Sequence, residues 1–409
     1  MFLIYQLIIT ILILISPIII FFRILKNKED FFRFREKYSL PTKTRDKGKI
    51  VWFHGSSVGE IMSVVPLIYK YENKNSVKKI LLTSSTLSSS KIVEKLKFKK
   101  VIHQFYPIDH IFFSNRFLNF WKPDLAIFLE SEIWPSMFRS LKQKKIPLIL
   151  LNARITKKTF RRWFKIKNFS QSIFSLVDIA YPQNDETSFF LKKLGIKNIT
   201  QIGNLKYIKN DNSHYNKIEK KLFNQFKKFS VCVAASTHDS EEIFAARSHI
   251  LLKRKKKNLI TIIIPRHVDR VDEIINELKK FDLRITTHSS KKKNLKNIDI
   301  YIVDTFGESK KFYKIATTVF LGGSIIDKGG QNPIEPARFG AKILHGPNVG
   351  NFKEVYSFLN KLKISFKIKT PIEFANLTSF EKNKKKVNKI DYLGKKILNK
   401  TVKQLNKYI

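Results

Sequence analysis

The 409-residue sequence contains a single cysteine, Cys232, so an internal disulfide and a cysteine-rich zinc site are both excluded. Cys232 lies in the apolar run SVCVAAS, where a small core residue is expected. Beyond the amino terminus, no run is long and apolar enough to span a bilayer, and no short repeat is visible. The remaining composition, 43% hydrophobic with 35 Phe, is that of a folded chain with room for about two or three domains.

Acidic residues are also scarce, because 33 Asp and Glu oppose 78 Lys and Arg and leave a formal charge of +45. A charge of this size raises nucleic-acid binding as a hypothesis. The excess is mostly scattered lysine, as in the basic run Lys253–Lys257, without the arginine-aromatic pattern of a nucleic-acid module. We therefore expect no nucleic-acid partner and interpret the lysines as solvated surface. Attraction to anionic lipid is a second interpretation.

The amino terminus carries the longest apolar run, Phe2–Phe22 (FLIYQLIITILILISPIIIFF), which has no charged residue. About twenty apolar residues cross a bilayer core, and this run lacks the basic start and cleavage site of a secretory signal. Basic residues follow it from Arg23 to Lys37, and none precedes it. The sequence therefore predicts a single-pass anchor, residues 1–22, with the rest of the chain on the cytoplasmic face. The alternative is an apolar hairpin that enters one leaflet only.

Beyond Lys49, short β-rich segments alternate with helical patterns in two series, which are separated by a polar stretch. Such alternation predicts parallel sheets with helices on both faces. The strand candidates are 49–53, 79–83, 100–105, 125–129, 147–152, 179–181 and 199–202, then 230–234, 259–264, 284–287, 298–303, 317–321 and 342–345. The predicted fold class is therefore α/β, with two Rossmann-like doubly wound domains, residues 23–208 and 209–409, facing a cleft.

A glycine-rich segment between Lys314 and Asn351 (KIATTVFLGGSIIDKGGQNPIEPARFGAKILHGPNVGN) carries the most informative functional pattern. A predicted strand is followed by two glycine pairs and then by Asn332 to Glu335, which open a helix. Glycines let a backbone approach a ligand closely, and N–H groups at a helix start attract phosphate. Glu335 is able to accept hydrogen bonds from a ribose, which indicates a nucleotide-sugar site. An ordinary strand-turn-helix, with Glu335 complementing the helix dipole, is the alternative.

Carboxylates follow two further predicted strands, at the edge where open α/β sheets bind ligands. Glu60 begins a helix after a glycine-serine turn, and it is either a general base or the last member of a capping box that starts at Ser57. The helix dipole and the turn amides would keep Glu60 ionised, so we expect modest basicity. Glu130 and Glu132 follow the other strand, where charge at a helix amino terminus is their alternative role.

Further motifs occur along the chain in a fixed order: WFHGSSVGE (Trp52–Glu60), FLESEIWPSMF (Phe128–Phe138), LNARITKKTFRRW (Leu151–Trp163), GNLKY (Gly203–Tyr207), AASTHDSEE (Ala234–Glu242), IIPRHVDR (Ile263–Arg270) and DTFGE (Asp304–Glu308). With the anchor and the glycine-rich segment, this set resembles the bacterial 3-deoxy-D-manno-octulosonic acid (Kdo) transferases of lipopolysaccharide assembly. The resemblance covers nearly the whole chain. Each motif alone is weakly specific, whereas the ordered set is strong.

The resemblance implies a GT-B glycosyltransferase that transfers Kdo from CMP-Kdo to lipid IVA, the lipid A precursor, at the cytoplasmic face of the inner membrane. The amino-terminal domain would hold the acceptor and the carboxy-terminal domain the CMP-sugar. We expect an inverting transfer without cofactor or metal, with domain closure hinged near Asn210. His238 and His267 do not have the spacing of metal ligands. A tethered GT-B enzyme that uses a UDP-sugar is the nearest alternative, and a non-catalytic basic protein is a more distant one.

The resemblance also assigns site residues at their positions in this chain. Glu60 matches the catalytic base, Glu130 would lie near the reacting centre, and Lys206 would stabilise the departing CMP phosphate or the Kdo carboxylate. Asn152 and Arg154 follow a predicted strand and are expected to bind acceptor phosphate. The expected contacts to CMP-Kdo come from Pro265, Arg266, Phe306, Gly307, Glu308, Asn332, Pro333, Ile334 and Glu335.

Overall fold

The computed structural model describes residues 1–209, 218–290 and 294–409. The chain forms two compact units, one of Met1–Ser213 with Leu393–Ile409 and the other of His214–Tyr392. Each unit is built on one parallel sheet connected by helices, which confirms the predicted α/β class with two parallel-sheet domains. The hinge expected near Asn210 lies outside the described residues.

The sheet of the first unit has six parallel strands, which are β1 (Ile50–His54), β2 (Lys79–Ser84), β3 (Val101–Phe105), β4 (Leu125–Leu129), β5 (Leu148–Ala153) and β6 (Ile179–Pro182). Their order is β3-β2-β1-β4-β5-β6, so the direction of winding reverses between β1 and β4. Both central strands are buried along their whole length, as their continuous apolar sequences IVWFH and LAIFL require. Ligands of open α/β sheets bind at the carboxyl ends of the strands where the winding reverses.

The helices of the first unit are α1 (Phe2–Leu25), α2 (Val58–Glu72), α3 (Leu87–Lys95), α4 (Ile111–Trp121), α5 (Pro135–Gln143), α6 (Lys157–Lys165), α7 (Lys167–Phe174) and α8 (Asp185–Leu194). Ser57, Thr86 and Asn184 begin α2, α3 and α8, because each side chain accepts a hydrogen bond from a first-turn amide. Gly195 ends α8 in the left-handed conformation, at φ 110°. Of the described helices, α1 is the one long and apolar enough to cross a membrane.

Trp52 on β1 is the centre of the aromatic core of the first unit. Its ring centroid lies 4.9 Å from that of Phe117 and 5.1 Å from that of Phe128, and its indole N–H donates to Thr83 Oγ1 at 2.9 Å. The side chain is fully buried. Truncating a buried aromatic of this size costs about 3–5 kcal/mol, so Trp52 fixes the position of β1 against β4.

The sheet of the second unit has seven parallel strands, which are β7 (Ser230–Thr237), β8 (Leu259–Pro265), β9 (Ile285–Thr287), β10 (Ile300–Ile302), β11 (Thr318–Leu321), β12 (Lys342–His345) and β13 (Ser365–Lys367). Their order is β13-β12-β11-β7-β8-β10-β9, and the winding reverses between β7 and β11. The helices that follow residue 218 are α9 (Lys220–Phe226), α10 (Glu241–Lys255), α11 (Val271–Lys279), α12 (Ser309–Tyr313), α13 (Ile334–Arg338), α14 (Lys353–Lys361), α15 (Pro371–Leu377) and α16 (Lys384–Leu405).

The last helix, α16, changes the expected division of the chain. The sequence assigns residues 209–409 to one carboxy-terminal domain, whereas Leu393–Ile409 belongs to the first unit. Gly394 lies against the backbone of Tyr207, where an added Cβ would come within 2.1 Å of the Tyr207 carbonyl oxygen. Asn406 accepts a hydrogen bond from Lys74 Nζ at 2.6 Å. Close backbone packing and a polar contact therefore return the carboxyl terminus to the first unit.

Most predicted strands match the observed ones to within a few residues, with two differences. The candidate 199–202 forms only an isolated bridge, because Ile199 pairs with Ala180 and the chain then leaves the sheet. Strand β13 was not predicted, since its three residues, SFK, are too few to show a period of two.

Candidate active site

Three carboxylates lie on the first unit at the carboxyl ends of β1 and β4, where the winding reverses. His54 at the end of β1 pairs in register with Phe128 of β4. An added Cβ on Gly55 would come within 3.0 Å of Glu60 Cβ, so glycine allows the first turn of α2 to pack closely. Glu60 begins α2, and Glu130 and Glu132 follow β4. Both neighbouring carboxylates are close enough to raise the pKa of Glu60.

Glu60 occupies the capping box that the sequence offers as its alternative role. Its amide donates to Ser57 Oγ at 3.4 Å, and its Oε2 accepts from the Ser57 amide at 3.0 Å. The cap holds the carboxylate in one position over the strand ends. Capping therefore orients this side chain, and it does not exclude a chemical role for the second oxygen, Oε1.

Burial raises the pKa of Glu60 to about 7. The amides of Ser57 and Ser56 lower this pKa, while the charges of Glu132 and Glu130 raise it further. The expectation of modest basicity was therefore wrong, because burial and two like charges outweigh the helix start. A carboxylate with a pKa near 7 is suited to accept a proton at neutral pH.

Glu132 is held as an anion by three donors. His54 Nε2, Ser56 Oγ and Trp134 Nε1 lie 3.1, 2.5 and 2.9 Å from its Oε2. Burial alone would raise the pKa of Glu132, but these hydrogen bonds lower it below the ordinary value. Its negative charge is therefore permanent at neutral pH and acts on Glu60. The sequence placed Glu132 at the carboxyl end of β4 without assigning it this function.

Glu130 and Lys206 form an ion pair, with Lys206 Nζ 2.9 Å from Glu130 Oε1. Glu130 is only 7% exposed and has φ 50°, in the left-handed region that non-glycine residues rarely adopt. Lys206 lies on a short 3-10 turn, Leu205–Tyr207, whose Lys206 amide donates to Asn204 Oδ1 at 2.9 Å. Two predicted catalytic residues from distant parts of the chain therefore meet in one pair.

Asn152 holds the turn that carries Lys206. It is 1% exposed, has φ 54°, and its Oδ1 accepts from the Leu205 amide at 2.9 Å. This arrangement suits a positioning residue better than the phosphate contact expected from the sequence. Arg154 lies at the same edge, where its amide donates to the Glu130 carbonyl oxygen at 3.1 Å.

In the second unit, the predicted donor-binding residues follow β8, β10 and β11. In the sheet, β11 lies on one side of β7, and β8 and then β10 lie on the other. Pro265 ends β8, and the exposed Arg266 donates its amide to the Thr237 carbonyl oxygen at 2.9 Å. Phe306 follows β10 and is 85% exposed, and Gly307 beside it has φ 85°. The topology therefore brings these segments to one edge of the sheet.

The acidic members of the predicted donor set are paired with lysines of α12. Lys310 Nζ lies 2.6 Å from Glu335 Oε1, and Lys311 contacts Glu308. Asn332 Oδ1 accepts from the Ile334 amide at 3.1 Å, and Pro333 and Ile334 are buried at the start of α13. The two segments after β10 and β11 are thus joined through α12.

Glu241 organises the glycine-rich loop and was not singled out from the sequence. Its fully buried carboxylate accepts hydrogen bonds from the amides of Gly323, Ser324 and Ile325 at 2.7, 3.1 and 3.0 Å, and from that of His238 at 3.1 Å. These loop amides are satisfied by a carboxylate of the protein. The phosphate contact expected from the sequence concerns other N–H groups, those at the start of α13, and it stays a prediction. The sequence signal that could have identified Glu241 was the pair of adjacent glutamates at the end of the motif AASTHDSEE.

One group of side chains among the described residues has the spacing of metal ligands, namely Asp239, Glu273 and Glu277, whose oxygens lie within 4.8 Å of one another. Asp239 and Glu273 are exposed, and Arg270 lies 3.6 Å and 3.3 Å from their carboxylates. The guanidinium compensates the charge of both acids, so this group is interpreted as a surface ion-pair cluster.

The family model described as 3-Deoxy-D-manno-octulosonic-acid transferase (kdotransferase) matches residues 32–209. The 3-deoxy-D-manno-octulosonic acid transferase of Rickettsia bellii is 36% identical over 368 residues, which cover 89% of this chain and 86% of that protein. The protein of the same name from Haemophilus influenzae is 31% identical over 316 residues, covering 76% of this chain and 73% of that protein.

Among solved structures, the UDP-GlcNAc 2-epimerase of Neisseria meningitidis bound to UDP-GlcNAc has a TM-score of 0.53 at 14% identity. The match covers 87% of this chain and 100% of that chain, and at this identity it shows the fold alone. The predicted GT-B-like pair of parallel-sheet domains is therefore confirmed. With the two transferases above, each more than 30% identical over most of its length, the chain belongs to the 3-deoxy-D-manno-octulosonic acid (Kdo) transferase family and is a glycosyltransferase.

Proposed function

We propose that this enzyme transfers Kdo from CMP-Kdo to lipid IVA, in lipopolysaccharide core biosynthesis, with inversion at the anomeric carbon and without a metal. The observation that carries the proposal is the Glu60 site. A half-buried carboxylate whose pKa is raised to about 7 lies at the reversal point of the sheet, beside a fixed anion and a Glu130–Lys206 ion pair. A hydroxyl nucleophile requires such a base.

In the proposed step, a glucosamine hydroxyl oxygen of lipid IVA forms a bond to the Kdo anomeric carbon. The bond from that carbon to the CMP phosphate oxygen breaks, and CMP leaves with the electron pair. Glu60 accepts the hydroxyl proton through Oε1, because Oε2 is engaged by the Ser57 amide. Glu132 stays ionised and sustains the basicity of Glu60.

Lys206 supplies positive charge for the departing phosphate or for the Kdo carboxylate. Glu130 fixes the lysine ammonium through the 2.9 Å ion pair, and Asn152 fixes the turn that carries it. Arg154 is assigned to acceptor phosphate, since a guanidinium binds phosphate through two hydrogen bonds. Residues 23–208 thus form the proposed acceptor domain.

The second unit is the proposed CMP-Kdo domain. The exposed ring of Phe306 offers a face on which the cytosine base can stack, and the exposed guanidinium of Arg266 is suited to the phosphate. Glu335, held by Lys310, is placed to accept hydrogen bonds from the ribose. The apolar helix α1 supports attachment to the inner membrane, with both units on the cytoplasmic face.

Mass analysis of lipid IVA after incubation with the purified enzyme and CMP-Kdo tests the proposal. We expect a mass gain of one or more Kdo with the native chain and none with Glu60→Gln. Glu373 provides a matched control, because it too lies in the first turn of a helix, where its amide donates to the capping residue Thr370 at Oγ1, 3.2 Å away. Glu373→Gln should retain full transfer.

Each alternative outcome has a definite meaning. Transfer that survives in Glu60→Gln would reduce Glu60 to its capping role. The assignment of CMP-Kdo as the donor fails if the native chain modifies lipid IVA with a UDP-sugar and does not modify it with CMP-Kdo or any other CMP-sugar. A gain with CMP-Kdo that is inhibited by CMP and unaffected by UDP would support the assignment of CMP-Kdo as the donor.

A further inference from the structure

The amino-terminal helix α1 contacts the first unit along its whole length. Its half-buried or buried positions recur every three or four residues and therefore form a single face. These positions are Phe2, Tyr5, Gln6, Ile9, Ile13, Ser16, Ile20, Arg23 and Ile24. Phe2 and Tyr5 pack against the hydrophobic core of the first unit. A contact face of this length is not expected of a helix that leaves the globular part to cross a bilayer.

Polar side chains of α1 fall on the contact face and find buried partners. Tyr5 donates its hydroxyl to Asp109 Oδ2 at 2.7 Å. Gln6 donates through Nε2 to Ser136 Oγ at 2.7 Å and accepts from the Ile111 amide at 3.1 Å. Asp109 is nearly fully buried, so removing Tyr5 would leave its carboxylate short of a donor. The amino-terminal end of α1 is therefore bound to the globular unit by specific hydrogen bonds.

The middle and the carboxyl end of α1 are bound in the same way. Ser16 Oγ lies 2.5 Å from the Tyr38 hydroxyl oxygen. Arg23 pairs with the buried Glu29 at 3.1 Å. Tyr5 and Ser16 thus contact one globular unit, although they are separated by about 17 Å of helix. A helix that crosses a bilayer has its two ends on opposite sides of it, which is incompatible with these contacts.

The other faces of α1 are apolar and exposed. They present Leu3, Ile4, Leu7, Ile8, Ile11, Leu12, Leu14, Ile15, Ile18, Ile19, Phe21, Phe22 and Leu25. Phe31 and Phe32 just beyond the helix are also exposed. A contiguous apolar surface formed by this many exposed side chains marks an interaction site.

Charge identifies what covers this surface. No acidic residue precedes Glu29, and that residue is buried in its ion pairs. Lys26, Lys28 and Arg35 are exposed beside the apolar face. Basic side chains flanking an apolar helix face are the features that bind an anionic membrane surface, and they would not favour a second copy of this basic chain.

We propose that α1 lies in the plane of an anionic phospholipid bilayer, with its contact face on the first unit and its exposed apolar faces in one leaflet, and does not span the membrane. The single-pass anchor expected from the sequence is replaced by a helix that is both a membrane contact and part of the first unit. Ser136, which accepts from Gln6, lies at the start of α5, directly after Glu132 and Trp134. The same arrangement therefore brings the carboxylate edge of the first unit to the lipid surface, which, if the proposed function holds, is where a lipid acceptor resides.

Protease protection of the full chain tests the orientation. Epitope tags are placed before Met1 and after Ile409, and the protein is reconstituted into phosphatidylglycerol-containing vesicles. We expect external protease to remove both tags without detergent, because both termini lie on one side. Removal of the carboxy-terminal tag alone, with the amino-terminal tag protected until detergent is added, would overturn the proposal.

A second measurement is independent of the tags. Two double-cysteine variants are made in a Cys232→Ala background and treated with a short bis-maleimide in vesicles. The reagent should join the cysteines of Gln6→Cys with Ser136→Cys, because Gln6 contacts Ser136. It should not join those of Leu7→Cys with Ser136→Cys, because Leu7 is exposed and faces away. Equal reaction of both pairs, or of neither, would contradict the docked helix. Neither measurement depends on sugar transfer, so failure here is distinct from failure of the proposed reaction.

Vesicle flotation tests the lipid. Replacing Lys26 and Lys28 by Gln should weaken binding to anionic vesicles by about fivefold for each charge. The matched control, Gln at the exposed Lys400 and Lys403 of α16, should leave flotation unchanged. Equal binding of the native chain to neutral and anionic vesicles, or equal effects of the two double variants, would refute the role assigned to these lysines.

Discussion

Transfer by this enzyme should depend on pH through the ionisation of Glu60. Burial and the charges of Glu132 and Glu130 raise the pKa of Glu60 from 4.5 to about 7. Only the ionised carboxylate can accept the proton of the attacking hydroxyl. The rate should therefore rise with pH through this pKa and level off above it.

The size of the effect follows from that pKa. With a value of about 7, roughly one tenth of Glu60 is ionised at pH 6 and roughly nine tenths at pH 8. The value of kcat/KM should then increase about tenfold between these two pH values. A glutamate with the ordinary pKa of 4.5 would be almost fully ionised at both, and the rate would change by only a few per cent.

The assay is kcat/KM for transfer from CMP-Kdo to lipid IVA, measured from pH 5.5 to 8.5 at constant ionic strength. Glu132→Gln removes a fixed negative charge beside Glu60, so the pKa of Glu60 should fall. The rising part of the pH–rate profile, here called the rising limb, should then move to lower pH. Glu373→Gln changes a glutamate in the first turn of another helix, α15, and should leave the limb in place. A flat profile above pH 5.5 in the native enzyme would refute the reasoning, as would an unmoved limb in Glu132→Gln.

Three further substitutions follow from the geometry. Lys206→Met removes the positive charge held by Glu130 and should lower kcat by about 10²–10³, with partial recovery in Lys206→Arg; an unchanged kcat would contradict its role. Glu241→Gln weakens charge-assisted bonds to four amides and should reduce the free energy of unfolding by about 3 kcal/mol or more in urea denaturation; a loss below about 0.5 kcal/mol would show that the loop holds without it. Phe306→Ala removes an exposed ring and should raise the KM for CMP-Kdo about tenfold without changing Tm; equal KM values would exclude stacking on the base.

Local features of this chain could be predicted from the sequence because their determinants lie within a few residues. The apolar run 125–129 predicted β4 at its observed bounds. The capping box from Ser57 to Glu60 also depends on four consecutive residues and is present as expected. The segment Ser365–Lys367 was missed because its pairing with β12, and not its own sequence, makes it a strand.

Features that depend on distant residues could not be predicted. Glu241 was invisible as an organising group because its partners begin at Gly323, on another loop. The basicity of Glu60 was underestimated for the same reason, since Glu132 approaches it only after β1 and β4 pair. The sequence indicated which residues carry charge, whereas the pairing of strands decided which charges meet.

In the part of the chain that the structure describes, three non-glycine residues at the carboxyl ends of strands have positive φ: Glu130 at 50°, Asn152 at 54° and Ser236 at 55°. In each case the backbone conformation is one that glycine adopts without steric cost, whereas a side chain costs of order 1 kcal/mol or more. Selection for heat resistance alone would favour glycine at these positions. Glycine at position 130 would remove the ion-pair partner of Lys206, and glycine at position 152 would remove the hydrogen-bond acceptor that holds its turn. Adaptation of this enzyme to higher temperature is therefore expected to use stabilising substitutions elsewhere in the fold.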